Sequence, residues 1–236
     1  MNIAERLALF SMLDYVAVGL LAVLWLGSTH LIEHSPKVRP STSSLMAQYR
    51  REWMVQFVHR DPRIFDSQII AQLRQGTAFF ASGSMIAIGG ALALLGNAER
   101  LRGVAEELTQ TDAPLIVWEI KLFLMVLFAA NAFLKFVWSH RLFGYCSVLM
   151  AAVPNDPGDP VALPRATKAG EINIIAARAY NRGLRSVYFG IASVAWLAGA
   201  PALILAGLFT AGVILRREFA SQSREVLLAM TDSTKT

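Results

Sequence analysis

His30-Leu31-Ile32-Glu33-His34 carries the H-x-x-E-H spacing with which inverted zinc metalloproteases set two imidazoles beside a carboxylate. Histidines at i and i+4 share one helix face, the arrangement zinc needs. The pattern nevertheless closes a long apolar run, stops two residues before Pro36 and has no third ligand downstream. A protease is therefore rejected, and the pair reads as interfacial histidines ending a membrane helix. His140 ends another apolar run, so His30 and His140 should reach the same membrane edge. Two imidazoles from different helices of a bundle suffice for a haem, or with Glu33 for a metal ion. Against ligation, Trp138 and Arg141 flank His140 as residues do at a membrane–water boundary. No metal or cofactor is expected; His30, His34 and His140 are the residues that would hold one.

Ionisable groups inside apolar runs are a second signal, because charge in hydrocarbon is costly and faces the bundle interior. Lys121, Phe128 and Lys135 recur every seven residues, with Asn131 beside Lys135. A water-filled path lined by Lys121, Asn131 and Lys135 would favour anions. Alternatively the two lysines lie near opposite helix ends and snorkel to their own interfaces. Asp14 or Glu119 would then neutralise Lys121. Both readings stay open.

Gly76, Gly83 and Gly90 form a heptad with Ala87 on the same face, and Ala198, Ala202 and Ala206 make a similar row. Small residues let membrane helices approach closely. The face serves either packing inside one bundle or self-association. Arg178, Arg182 and Arg185 at i, i+4 and i+7 form a basic stripe, and Arg50, Arg51, Arg60 and Arg63 another. Anionic lipid headgroups are their expected partners, at about 1 kcal/mol per basic residue near the surface. Nucleic acid is not expected, since these residues are pinned near the bilayer. The single cysteine, Cys146, excludes an internal disulfide and reads as buried and inert.

The elements that must position these residues follow from composition. The chain is 55% hydrophobic and 17% charged, against about 25% charged in ordinary soluble domains. The reading is an all-α, polytopic four-helix membrane protein forming one domain, with membrane helices at about 7–32, 76–96, 115–138 and 187–215. The first run is too long for a signal-peptide core and lacks a small-x-small cleavage site. Residues 45–57 form an amphipathic helix with Leu45, Met46, Tyr49, Trp53 and Phe57 on one face. Asp61 then caps a new helix with Pro62 at its first position. It runs to Gly96, so about 35 residues, roughly 52 Å, pass from a charged half into a charge-free one. Pro201 should kink the fourth apolar helix.

Connector 33–75 holds seven Lys and Arg, connector 139–186 six, and the loop between the second and third helices two. The positive-inside rule places both connectors, as helical extensions, in the cytoplasm of a bacterial inner membrane, with both termini outside. Arg216, Arg217, Arg224 and Lys235 in the tail point the other way.

Several stretches together resemble one family. They are Tyr49-Arg50-Arg51-x-Trp53, Arg63-Ile64-x-Asp66, Phe79-Phe80-Ala81-Ser82, Glu119-x-Lys121 and Phe133-x-Lys135-Phe136-x-Trp138. Further on come Arg141-x-Phe143-x-Tyr145-Cys146-Ser147 and Asn181-Arg182-Gly183-x-x-Arg185, then Tyr188-Phe189, Trp196 and Pro201. In this order they resemble the DUF599 family, multi-pass membrane proteins of bacteria and plants. The resemblance implies four membrane helices and no assigned activity, and it supplies no catalytic residue.

No nucleotide loop, nucleophile elbow or dinucleotide fingerprint occurs, so no enzyme is expected. The first expectation is an oligomeric helical assembly, around an ion or small-solute path. An accessory or scaffold subunit of a membrane complex is the second, and a His-ligated redox protein the third.

Overall fold

The computed structural model describes residues 5–6, 8–97, 103 and 114–229. Among them all regular structure is helical: α1 (Met12–Glu33), α2 (Thr42–Val58), α3 (Ile64–Leu95), α4 (Leu115–Ala151), α5 (Ala162–Val194), α6 (Ala200–Phe219) and α7 (Gln222–Ala229), with a single 3-10 turn at Ala195–Ala198. Four helical stretches are long and apolar enough to cross a membrane: Met12–Glu33, Ile64–Leu95, Leu115–Ala151 and Ala200–Ala229. Most of the predicted polar loop 97–113 and the end of the tail lie outside the described residues.

Local chemistry moves several boundaries. α1 begins at Met12, not Leu7, because Ser11 and Asp14 form a reciprocal cap. The Asp14 backbone N–H donates to Ser11 Oγ (3.2 Å) and the Ser11 N–H to Asp14 Oδ2 (3.1 Å). α2 starts behind Ser41, whose Oγ accepts from the Ser44 N–H at 3.2 Å. Its buried stripe is Leu45, Met54, Phe57 and Val58, while Met46 stays exposed. α3 begins at Ile64, and Pro62 lies ahead of the helix rather than in its first turn.

Connector 139–186 is mostly helix. α4 runs 13 residues past Trp138 to Ala151, since no proline interrupts it before Pro154. α5 then runs through the expected start of the last membrane helix at 187. The break comes at Gly199, whose φ of +112° suits a residue without Cβ. Pro201 does not kink a helix. It sits in the first turn of α6, where a missing N–H costs nothing.

Contacts divide the described residues into two compact units. Unit 1 comprises those of Met1–Thr29, Ala81–Leu134 and Arg182–Val213; unit 2 those of His30–Phe80, Lys135–Asn181 and Ile214–Thr236.

In unit 1 the run 187–215 is a hairpin on α1. Arg185 Nε donates to Thr29 Oγ1 (3.1 Å) near the end of α1, and Trp196 Nε1 donates to Asp14 Oδ1 (2.7 Å) at its start. α5 is thus antiparallel to α1. α6 returns, with Gly207 so close that an added Cβ would lie 3.2 Å from Leu21 Cδ1. Gly190 likewise admits Phe128, whose Cβ would stand 3.0 Å from an added methyl. Phe128 in turn meets Trp25 edge-on at 5.1 Å.

Unit 2 has its own core, with Met54, Phe57 and Val58 of α2, Ile70 of α3 and Cys146 and Met150 of α4 packed together. α5 contributes Ala162, Ala166 and Ala169 to that core. This alanine face lets α5 approach closely, and a Cβ on Gly170 would lie 3.1 Å from Met54 Cγ. Phe80, Phe136 and Tyr180 add an aromatic triangle with centroids 5.4–5.7 Å apart. The tail closes the unit: Ser43 N–H and Oγ donate to the Glu218 carboxylate (3.0 and 2.9 Å), and Arg224 Nε donates to Pro40 O (2.9 Å).

Candidate functional site

The three polar residues expected to line a path on α4 have separate fates. Lys121 is 8% exposed, and its Nζ lies 4.7 Å from the Trp118 ring centroid and 5.8 Å from that of Trp196. Two indole faces therefore hold the ammonium. Asp14, bonded to Ser11 and Trp196, is the carboxylate that interacts with it electrostatically. Glu119 makes no ion pair among the described residues. Asn131 Nδ2 donates to Ser186 Oγ at 2.6 Å, and Ser186 Oγ passes the bond to Arg182 O at 3.2 Å. Lys135 belongs to the other unit and is half-buried. Lys121 and Asn131 are spent on internal contacts. The Ser-x-x-Asp spacing at Ser11 was the sequence signal that Asp14 starts a helix rather than interrupts one.

The glycine face is different. A Cβ built at Gly76, Gly83 or Gly90 meets no atom within 4 Å, and Gly83, Ala87 and Gly90 are exposed. Only 6% of the most apolar 18 residues of α3 are buried within the chain, against 22–28% in the other three spans. The glycines that do admit a neighbour are Gly170, Gly190 and Gly207.

The basic stripe of α5 is divided as well. Arg178 is exposed, Arg182 is half-buried with its carbonyl taken by Ser186, and Arg185 is 4% exposed and bonded to Thr29. A residue so enclosed does not face a headgroup. On α2, Arg51 pairs with Glu171 (2.6 Å), which raises its pKa, whereas burial lowers that of Arg50, bonded to Asn173 Oδ1.

The histidines have protein partners. His140 Nδ1 lies 3.2 Å from Arg74 O, and Nε2 lies 3.5 Å from Arg74 Nη2. One neutral tautomer satisfies both contacts and occupies both ring nitrogens. His30 and His34 stack at 4.4 Å, with His34 Nδ1 3.2 Å from His30 O. No group of three or more His, Cys, Asp or Glu suited to a metal occurs among the described residues.

The polar centre of unit 2 was not anticipated. Asp66 is fully buried on α3; its Oδ1 accepts from Trp53 Nε1 (2.6 Å) and from Arg60, while Oδ2 has no partner. One turn away Arg63 stacks on Phe57 (4.4 Å) and donates to Val58 O (3.3 Å), Val153 O (2.8 Å) and Pro154 O (2.7 Å). The last two, with Arg165 on Ala152 O (2.7 Å), tie down the turn that follows the C-terminus of α4. Beside Arg63 lies a cavity of about 250 Å³. Phe57, Ile70, Met150 and Ala151 form its apolar wall, and Arg63, Ser67, Ser147 and Asn155 its polar one. The hint in the sequence was that Trp53, Arg63 and Asp66 lie on either side of the break between α2 and α3.

Comparison with known proteins gives one family and nothing closer: no curated protein and no solved structure matches the chain. The model of the family described as "Protein of unknown function, DUF599" matches residues 16–223, and the chain therefore belongs to the DUF599 family.

Proposed function

We propose that this chain is a non-catalytic membrane protein that assembles through the charge-free half of α3, pairing with the same helix of a second copy. The observation that carries the reading is the 6% burial of that span together with a glycine face open at Gly76, Gly83 and Gly90. A helix with so little packing of its own and a smooth small-residue face gains contacts by pairing, since small residues permit backbone approach. The commitment of Lys121 and Asn131 to internal partners favours assembly over an ion path through one chain. Dilution of fluorescently labelled protein into liposomes tests it. Co-localised pairs surviving dilution are expected, and monomers at every protein-to-lipid ratio would overturn the reading.

Orientation follows from charge and contacts together. The basic connector 33–75 supports a cytoplasmic side for that segment. The tail is bonded to it through Glu218 and Arg224, so the C-terminus belongs on that side too. On this reading the C-terminus differs from the expectation that both termini lie outside, and the tail arginines come into line with the positive-inside rule.

A further inference from the structure

Arg63, beside the cavity, has no ion-pair partner among the described residues. No Asp or Glu among the described residues lies within 4.0 Å of Arg63. Asp156 and Asp159 of the adjoining loop accept the backbone N–H groups of Gly158 (2.8 Å) and Val161 (2.9 Å) instead. The nearby C-terminal end of α4 adds only about half an elementary negative charge. Three of the guanidinium donors meet carbonyl oxygens, which leaves two of its five N–H groups.

The other polar groups have a definite sense. Ser67 Oγ donates to Ile64 O (2.7 Å) and Ser147 Oγ to Phe143 O (3.0 Å), so each presents lone pairs to a visitor's donors. Asn155 is exposed and makes no side-chain bond among the described residues. At about 250 Å³ the space falls just under the usual range for ligand pockets, roughly 300–1,000 Å³, which limits the guest to a small molecule.

We infer that this cavity binds a small phosphate ester that also carries hydroxyl or ammonium donors. The phosphate takes the free N–H groups of Arg63, the donors meet Ser67 and Ser147, and the carbon part lies on Ile70 and Met150. Such a group occurs in soluble esters and in lipid headgroups. The charge-free half of α3 begins at Thr77, and Ser67 precedes it by ten residues, or about 15 Å of helix. The headgroup layer adds only roughly 5–8 Å outside the hydrocarbon, which favours a soluble ester. The inference is independent of the pairing of α3.

The test uses the full chain in nanodiscs of neutral phosphatidylcholine, titrated with glycerol 3-phosphate and followed by phosphorus NMR and thermal shift. Saturable, sub-millimolar binding is expected. Arg63→Gln should abolish it but also frees the turn behind α4, so Asn155→Asp and Asn155→Lys form the decisive pair. They place a charge at the mouth without touching packing, and they should weaken and tighten binding, each by about fivefold. Repeating the titration in discs containing phosphatidylglycerol identifies the source. Loss of affinity there assigns the headgroup, and unchanged affinity assigns the soluble ester. Absence of saturable binding at millimolar ester, or indifference to both Asn155 substitutions, overturns the inference.

Discussion

Gly83→Leu separates pairing from folding because the chain itself leaves the position empty. A Cβ at Gly83 meets nothing within 4 Å, so the larger side chain enters no core and strains no neighbour of its own chain. Leucine is the better helix former by about 0.8 kcal/mol, and thermal unfolding should hold or rise slightly. At a pair interface the same side chain holds two backbones apart. Losing about ten to twenty heavy-atom contacts at roughly 0.1–0.2 kcal/mol each removes about 2 kcal/mol, or roughly thirtyfold in the association constant. The assay is single-molecule photobleaching in liposomes over a range of protein-to-lipid ratios, beside an unfolding curve for each variant. Gly207→Leu is the opposite control. Its Cβ would stand 3.2 Å from Leu21 Cδ1, and overpacking should cost about 1–3 kcal/mol of stability. An unchanged association constant for Gly83→Leu refutes the pairing. A parallel loss of melting temperature refutes the claim that this face is open.

Other outcomes follow from the same contacts. Lys121→Ala should leave liposome ion flux identical to the parent and cost about 1–2 kcal/mol from two indole contacts, read by unfolding with tryptophan emission. Asp66→Asn leaves Arg60 and Trp53 facing a neutral amide in a buried site; a loss of about 2 kcal/mol is expected, below the 3–5 kcal/mol of a fully enclosed pair because Arg60 is partly exposed. Arg185→Ala should destabilise far more than Arg178→Ala, which should stay within about 0.5 kcal/mol of the parent; equal effects would restore the exposed stripe. A fluorescent protein fused to the C-terminus should fold in the cytoplasm, and its failure to fluoresce would return the tail to the outer side.

What residue order alone determined is whatever depends on nearest neighbours in the chain. The charge-free stretch after Thr77 identified the membrane-crossing half of α3, and the pattern of apolar runs set the all-helical class, because hydrogen-bonded backbone and apolar length are local properties. The motifs, in their order along the chain, identified the family. What only the tertiary structure decided is which side chains are spent. Lys121 and Lys135 share a heptad position, yet Lys121 is enclosed between Trp118 of its own helix and Trp196 from a distant segment, and Lys135 is not. Gly83 and Gly207 look alike in sequence, but only Gly207 faces a leucine at close range. Arg178 and Arg185 lie on one stripe, and only Arg185 meets Thr29. In each pair the difference is made by a partner from elsewhere in the chain, and helical spacing carries no information about where that partner lies.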